Sequence, residues 1–346
     1  MSKNARGATS IQHPVPSTRT FCASAPVRLD FAGGWSDVAP FATRERGRVV
    51  NAAIELRAEA EFTGGGTGYL LHSDDLQDTL SLDGPHALQN TGRLDLLKSA
   101  LRRSGLGAGD IRTRCSAPAG SGLGSSGALD VALVAALDAA RGIRRSRDEL
   151  AEEAFLLESV EAGLPGGKQD QYAAALGGFH HFTFENGRVI SERLTLDPAF
   201  QSDLARHIVI CYTGVSRVSS RTIERVVEAY QRGDSRVVGA LRALADLADR
   251  MRDALQARDA HGVGRLLGEN WELQQRLDPD MRTPEMADLE AAMKVAGAAG
   301  GKAAGAGAGG TMFFLVEDSV RAGVAAEDAG ARVLPTVWAP EGVKVW

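Results

Sequence analysis

Cysteine is scarce in this chain of 346 residues, with only Cys22, Cys115 and Cys211 present. They lie far apart, are odd in number and form no CxxC pair. That excludes a disulfide scaffold and a zinc-ligand pattern, and it fits thiols kept reduced in a cytoplasm. Positive charge is not in excess either. Lys and Arg total 39 against 44 Asp and Glu, a formal net charge of -5, so no general basic field is offered to nucleic acid or to an anionic membrane. Long apolar runs are missing too, and nothing in the sequence reads as a bilayer span. The opening MSKNARGATSIQHPVPSTRT is polar, holds two prolines and has no apolar stretch of the signal-peptide kind. Residues 1–19 are expected to be a flexible tail, and the protein cytoplasmic.

What is present is an ordinary globular profile: 44% hydrophobic, 24% charged, mean hydropathy -0.14. The length suits one large or two medium domains. From about residue 20 to 83 apolar and polar residues alternate as in strands (TFCASAPVRLDFAGG, RVVNAAIELRAEAEFTGG, YLLHSDDLQDTLSL). LDLLKSALRRSG has helical spacing and stops at Gly105, and IRTRCSAP is a short strand. GALDVALVAALDAARG predicts an Ala-rich helix ending at Gly142. SRDELAEEAFLLESVEAG predicts a second, with Ser146 and Glu149 in capping-box spacing.

HIVICYTG reads as a buried strand, and residues 219–297 as several helices with breaks near Gly233 and Gly262. A glycine run, a strand TMFFLV, a helix and a last strand ending GVKVW close the chain. The change of character near residue 200 predicts two lobes, 20–200 and 201–346, and an α+β architecture rather than a regular βαβ alternation.

Four stretches can carry chemistry. In SAPAGSGLGSSGAL, residues 116–129, Gly120, Gly122 and Gly124 free the backbone to turn consecutive N–H groups toward one anion. The helix starting near Ser126 adds its positive end, and Ser125 and Ser126 add hydroxyls. No Lys follows, so this is not a Walker A loop. On its own the stretch is compatible with a phosphate cradle or with a small-residue helix packed close to a sheet.

GLPGGKQDQYAAALGG, residues 163–178, presents Lys168, Gln169, Asp170 and Gln171 on a tight turn. Asp170 beside a cation suits a base, and it equally suits a helix cap. APVRLDFAGGWSDVAPF, residues 25–41, sets Arg28 on a strand before Trp35, Ser36 and Asp37. Trp stacking and a carboxylate grip suit a sugar, and a core anchor and a turn cap suit the same residues. In KAAGAGAGGTMFFLV, residues 302–316, glycines allow close backbone approach or a tight connection.

In this order the four stretches resemble the GHMP small-molecule kinases. SAPAGSGLGSSGAL matches that superfamily's PxxxGLGSSAA phosphate loop, APVRLDFAGGWSD its first motif and GAGAGGTMFFLV its C-terminal glycine motif, from about residue 20 to Trp346. The resemblance implies an N-terminal lobe with a mixed sheet and phosphate-loop helix, and a helix-rich α+β C-terminal lobe. Within the superfamily PGGKQDQYAAALGGF and GVKVW resemble the D-glycero-D-manno-heptose 7-phosphate kinases, while AGGWSD resembles the fucokinases. Both branches phosphorylate an anomeric hydroxyl.

Residue by residue, the resemblance implies that Pro118, Gly120, Ser121, Gly122, Leu123, Gly124, Ser125 and Ser126 wrap the phosphates of ATP. It puts Mg2+ on Ser126 and Glu158, with Glu161 as the fallback. Asp170 becomes the catalytic carboxylate and Arg28 the cation near the transferred phosphoryl group. Trp35, Ser36, Asp37, Lys168, Gln169 and Gly309 become substrate residues, with Lys168 either holding a 7-phosphate or pairing with Asp170. Ala308 stands where a fuller glycine run is usual, and it disfavours positive φ. The expected partner is a small sugar or sugar phosphate, bound by a monomer or homodimer. A binding-only sensor is the reading from another class.

Overall fold

The computed structural model describes residues 19–215 and 219–346, with the side chains of residues 219 and 220 outside the description. The expected flexible tail, apart from Arg19, lies outside the described residues. In chain order the elements begin β1 (Thr20–Ala32), α1 (Phe41–Arg44), β2 (Gly47–Gly64), β3 (Tyr69–Ser73), β4 (Asp78–Leu82), α2 (Asp95–Ser104) and β5 (Gly109–Cys115). Next come α3 (Ser125–Arg141), α4 (Arg147–Leu156), α5 (Gln169–Leu176), β6 (Phe179–Glu185), β7 (Arg188–Arg193), α6 (Pro198–His207) and β8 (Ile208–Tyr212). The chain closes with α7 (Ser219–Gln231), α8 (Ser235–Gln256), α9 (Ala260–Gln275), α10 (Pro284–Val295), β9 (Ala298–Ala303), β10 (Thr311–Val316), α11 (Ser319–Asp328), β11 (Arg332–Leu334) and β12 (Lys344–Val345).

An eight-stranded mixed sheet runs β12-β1-β2-β5-β3-β4, with β6 and β7 continuing from the other end of β2. One side of the long β2 is covered by β1. Its other side is shared, Gly47–Ala52 pairing with β6 and Ala58–Gly64 with β5. The β3–β5 pair is parallel, which makes the sheet mixed. A second sheet, β11-β8-β10-β9, is antiparallel. The α3 helix packs on β1 and β2, and α8 lies between β2 and α9. The α+β expectation holds.

The local signals act as their chemistry predicts. The Ser146 side chain accepts from the Glu149 N–H while Glu149 reaches back to the Ser146 N–H, closing the capping box. Gly105 and Gly142 end α2 and α3 in the left-handed conformation. The break expected near Gly262 falls just before it, between α8 and α9 at residues 257–259. Gly262 lies in the first turn of α9, where its N–H bonds Asp259, and a Cβ there would sit 2.2 Å from an Asp259 oxygen. The glycine stretch at 298–303 is the strand β9, which the sequence reading passed over. Its glycines let it lie against α9 and β10: a Cβ on Gly300 would meet the Gly264 carbonyl at 1.8 Å, and one on Gly301 the Phe314 ring at 2.1 Å.

Candidate active site

Two irregularities in the β1–β2 ladder, at Pro26/Val27 and at Asp30/Ala32, bracket Val27–Asp30. Such bulges re-aim side chains next to functional sites. Here they send Arg28 and Asp30, two residues apart and so on one face, toward an open cavity of about 260 Å³. Arg28 donates from Nε to Asp170 Oδ1 at 2.8 Å, and from Nη1 to the carbonyls of Gly122 at 2.8 Å and Ala304 at 2.9 Å. One buried guanidinium thus ties together β1, the Gly-rich loop, the start of α5 and the segment after β9.

The Gly-rich loop follows the same logic. Gly120, Gly122 and Gly124 all have φ between 67 and 76°, and α3 begins at Ser125 with no side-chain cap, so its first N–H groups stay open. The glycines, Ser125 and Ser126 line the cavity. The loop is held from behind: Thr311 N–H bonds the Ser121 carbonyl at 2.8 Å, and Arg28 N–H the Leu123 carbonyl at 2.9 Å. Ser121 and Leu123 are fully buried beneath the loop and Pro118 stands before it, so these three do not border the cavity.

Glu158 sits on a π-turn, Leu157–Glu161, that continues α4; such turns recur at functional sites. Its carboxylate accepts from Ser126 Oγ, and from Gln171 Nε2 at 2.7 Å. Burial, with Asp170 nearby, pushes the Glu158 carboxyl up from its ordinary range. Glu161, the fallback, turns away to Arg102 and Arg103 at 3.3 and 3.2 Å. Among the described residues no cluster of three or more His, Cys, Asp or Glu forms a metal cage. A hydroxyl and one buried carboxylate are the hard oxygen donors that suit Mg2+ shared with phosphates. Neither hydrogen-bond partner of Glu158, Ser126 or Gln171, is a cation, so the residues present fit such an ion.

Asp37 is 5% exposed and accepts from the Gln169 N–H and from Gln169 Nε2, both at 3.2 Å. Gly167 allows this, since a Cβ there would lie 1.9 Å from Asp37 Oδ2. Burial first, then the Asp170 charge, pushes the Asp37 carboxyl up to about 7. Trp35 has φ 79°, lines the cavity and is otherwise buried, with Nε1 unpartnered.

Three residues expected here are placed elsewhere. Ser36 is fully buried and donates to the Gly33 carbonyl, bracing the turn. Lys168 does not pair with Asp170. Its ammonium bonds Glu152 at 2.7 Å, outside the cavity. Gly309 packs on Val215, where a Cβ would meet the carbonyl at 2.6 Å. The sequence reading missed Asp30, which borders the cavity, and Lys302, which bonds it. Their 272-residue separation left no local signal.

The profile of the GHMP kinases N terminal domain matches residues 93–178, and that of the GHMP kinases C terminal domain matches residues 251–334. A D-glycero-alpha-D-manno-heptose 7-phosphate kinase of Campylobacter jejuni is 30% identical over 341 residues, covering 95% of this chain and 99% of that protein. The bifunctional fucokinase/GDP-fucose pyrophosphorylase of Arabidopsis thaliana is 30% identical over 90% of this chain, which spans 31% of that longer protein. The crystal structure of a D-glycero-D-manno-heptose 1-phosphate kinase from Bacteroides thetaiotaomicron superposes with a TM-score of 0.77, at 27% identity, over 94% of this chain and 98% of that one. GHMP sugar kinases take ATP as phosphate donor. The chain belongs to the GHMP kinases, as a phosphotransferase acting on a sugar hydroxyl.

Proposed function

We propose that the protein transfers the γ-phosphoryl group of ATP to the anomeric hydroxyl of D-glycero-D-manno-heptose 7-phosphate, giving the 1,7-bisphosphate and ADP. The supporting observation is the Arg28–Asp170 contact beneath the open N-terminus of α3, in a chain that matches a heptose 7-phosphate kinase over 95% of its length. The N–H groups of the loop and of α3 hold the ATP phosphates. Ser126 and Glu158 would hold Mg2+, which supplies charge neutralisation on the β- and γ-phosphates.

Both Arg28 contacts to Asp170 fall on Oδ1, leaving Oδ2 to orient O1 of the sugar and take its proton. O1 then forms the new P–O bond as the bond to the β-phosphate oxygen breaks. An anomeric hydroxyl is more acidic than an ordinary alcohol, so positioning supplies much of the rate. Arg28 stabilises the equatorial oxygens in flight, while Asp37, Gln169 and Trp35 hold the sugar.

One observation favours an unphosphorylated sugar such as L-fucose as a second reading. Arg28 is the sole cationic side chain lining the cavity among the described residues, beside Asp30, Asp37, Glu158 and Asp170. ATP-consumption assays with heptose 7-phosphate, L-fucose and other free hexoses separate the readings. Turnover of the 7-phosphate well above the free sugars is expected, and strong turnover of a free sugar with none of the 7-phosphate overturns the first.

A further inference from the structure

Asp30 is a carboxylate in an unusual position. It is 3% exposed, it borders the cavity, and the fully buried Lys302 of β9 donates to its carbonyl at 2.6 Å and to its Oδ2 at 2.9 Å. Its Oδ1 has no partner at all. A buried carboxylate oxygen without a donor is costly, and it persists where a ligand or water completes it.

A second orphan of the same kind lies beside it. Gln169 gives its amide N–H to Asp37, and its Oε1 is buried without a donor. Both side chains crowd one glycine: a Cβ on Gly34 would lie 2.1 Å from Asp30 Oδ2 and 3.2 Å from Gln169 Nε2. Two residues that line the cavity and meet at Gly34 therefore each carry a buried acceptor without a hydrogen-bond donor. A phosphate has no donors to offer and is repelled by carboxylates. Ring hydroxyls of a sugar are donors on adjacent carbons.

We propose that Asp30 determines sugar specificity: its Oδ1 accepts a hydrogen bond from one ring hydroxyl of the substrate, with Lys302 holding the carboxylate from behind. Gln169 Oε1 takes the neighbouring hydroxyl. The proposal rests on the reading of the cavity as the sugar site. It adds a carboxylate to Asp37 there and leaves the transferred phosphoryl group to Arg28 and Asp170. The competing role for Asp30 is that of a counter-ion alone, neutralising Lys302 across the join of the two sheets.

Kinetics with a set of deoxy sugars tells these apart. Wild type, Asp30→Asn and the double variant Asp30→Ala/Lys302→Met are assayed with D-glycero-D-manno-heptose 7-phosphate and its 2-, 3- and 4-deoxy analogues. The double variant avoids leaving an unpaired buried ammonium. Binding of a fluorescent ATP analogue verifies that each variant is folded. Wild type should lose about 10- to 100-fold in kcat/KM on one analogue, the loss expected when a hydroxyl bonded to a charged group is removed. The Asp30 variants should lose a similar factor on the parent sugar, mainly through KM, and should no longer discriminate against that analogue while treating the other two as wild type does.

Variants that are slower on every sugar but keep the wild-type pattern of discrimination would overturn the proposal. So would a wild type indifferent to each hydroxyl in turn, a result that needs no variant to fold. If wild type turns over L-fucose and not the heptose, the proposed substrate falls. The same series on L-fucose and its deoxy analogues then judges Asp30 by the same criteria.

Discussion

Among the described residues no cation pairs with Asp37, and its carboxyl is pushed up to about 7 by burial and by the Asp170 charge. Its folded pKa therefore lies above the ordinary carboxylate value. The folded state binds the extra proton, so stability falls as pH rises from about 4 toward 7. Asp37→Asn should accordingly show a higher Tm than wild type at pH 8, with the gap closing toward pH 4, and scanning calorimetry across that range checks it. The same group should make kcat/KM for the sugar fall as pH drops below about 7, because a protonated Asp37 no longer offers a charged acceptor.

Asp170→Asn should keep ATP binding and lose about 100- to 10,000-fold in kcat, the usual range for general-base removal. Near-normal turnover would remove Asp170 from its assigned role. Ala308 adopts φ 59° and is buried, so the conformation that alanine disfavours is the one it occupies. Ala308→Gly should raise stability by about 1 kcal/mol in urea unfolding.

The phosphate loop and the C-terminal glycine motif constrain each other as elements. A Cβ on Gly305 would stand 2.3 Å from the Gly122 carbonyl oxygen, while one on Gly122 would find nothing nearer than 3.7 Å. Gly305→Ala should therefore displace the loop and weaken ATP binding by more than tenfold, although Gly305 lies in the other glycine motif. Gly122→Ala, strained only by its φ of 74°, should cost about 1 kcal/mol of stability and less affinity; titration with a fluorescent ATP analogue ranks the two.

Elements with local punctuation were legible in the sequence. The α4 start announces itself through Ser146 and Glu149, and the α2 and α3 ends through Gly105 and Gly142. The β9 strand was not legible, because Ala298–Ala303 has no alternating side chains and is defined by what it packs against.

Across the whole molecule the C-terminal segment returns to the first strand. Trp346 exchanges backbone hydrogen bonds with Cys22, and β12 pairs with β1 at the edge of the first sheet. Arg57 donates to the Gly342 carbonyl at 2.7 Å, and a Cβ on Gly342 would lie 2.1 Å from the Ala175 carbonyl on α5. The C-terminal segment thus braces the helix that carries Asp170. Gly342→Ala should destabilise by about 1–3 kcal/mol, as overpacking does, and should lower kcat while ATP affinity stays near normal. Thermal melts and steady-state kinetics on the same preparation measure both.

The sequence by itself determined the helices with their caps, the strand-rich first half and the positions of the glycine motifs. These depend on neighbours a few residues away. Arg28, Asp37 and Asp170 were also nameable from short motifs, and Glu158 only through the family resemblance. Only the tertiary structure decided what those residues touch. It gave Lys168 to Glu152 rather than to Asp170, buried Ser36 in its turn, and set Asp30 of β1 on Lys302 of β9. The Asp30–Lys302 pair joins residues 272 apart in the chain, where solvation and close packing choose the partner and no local pattern records the choice.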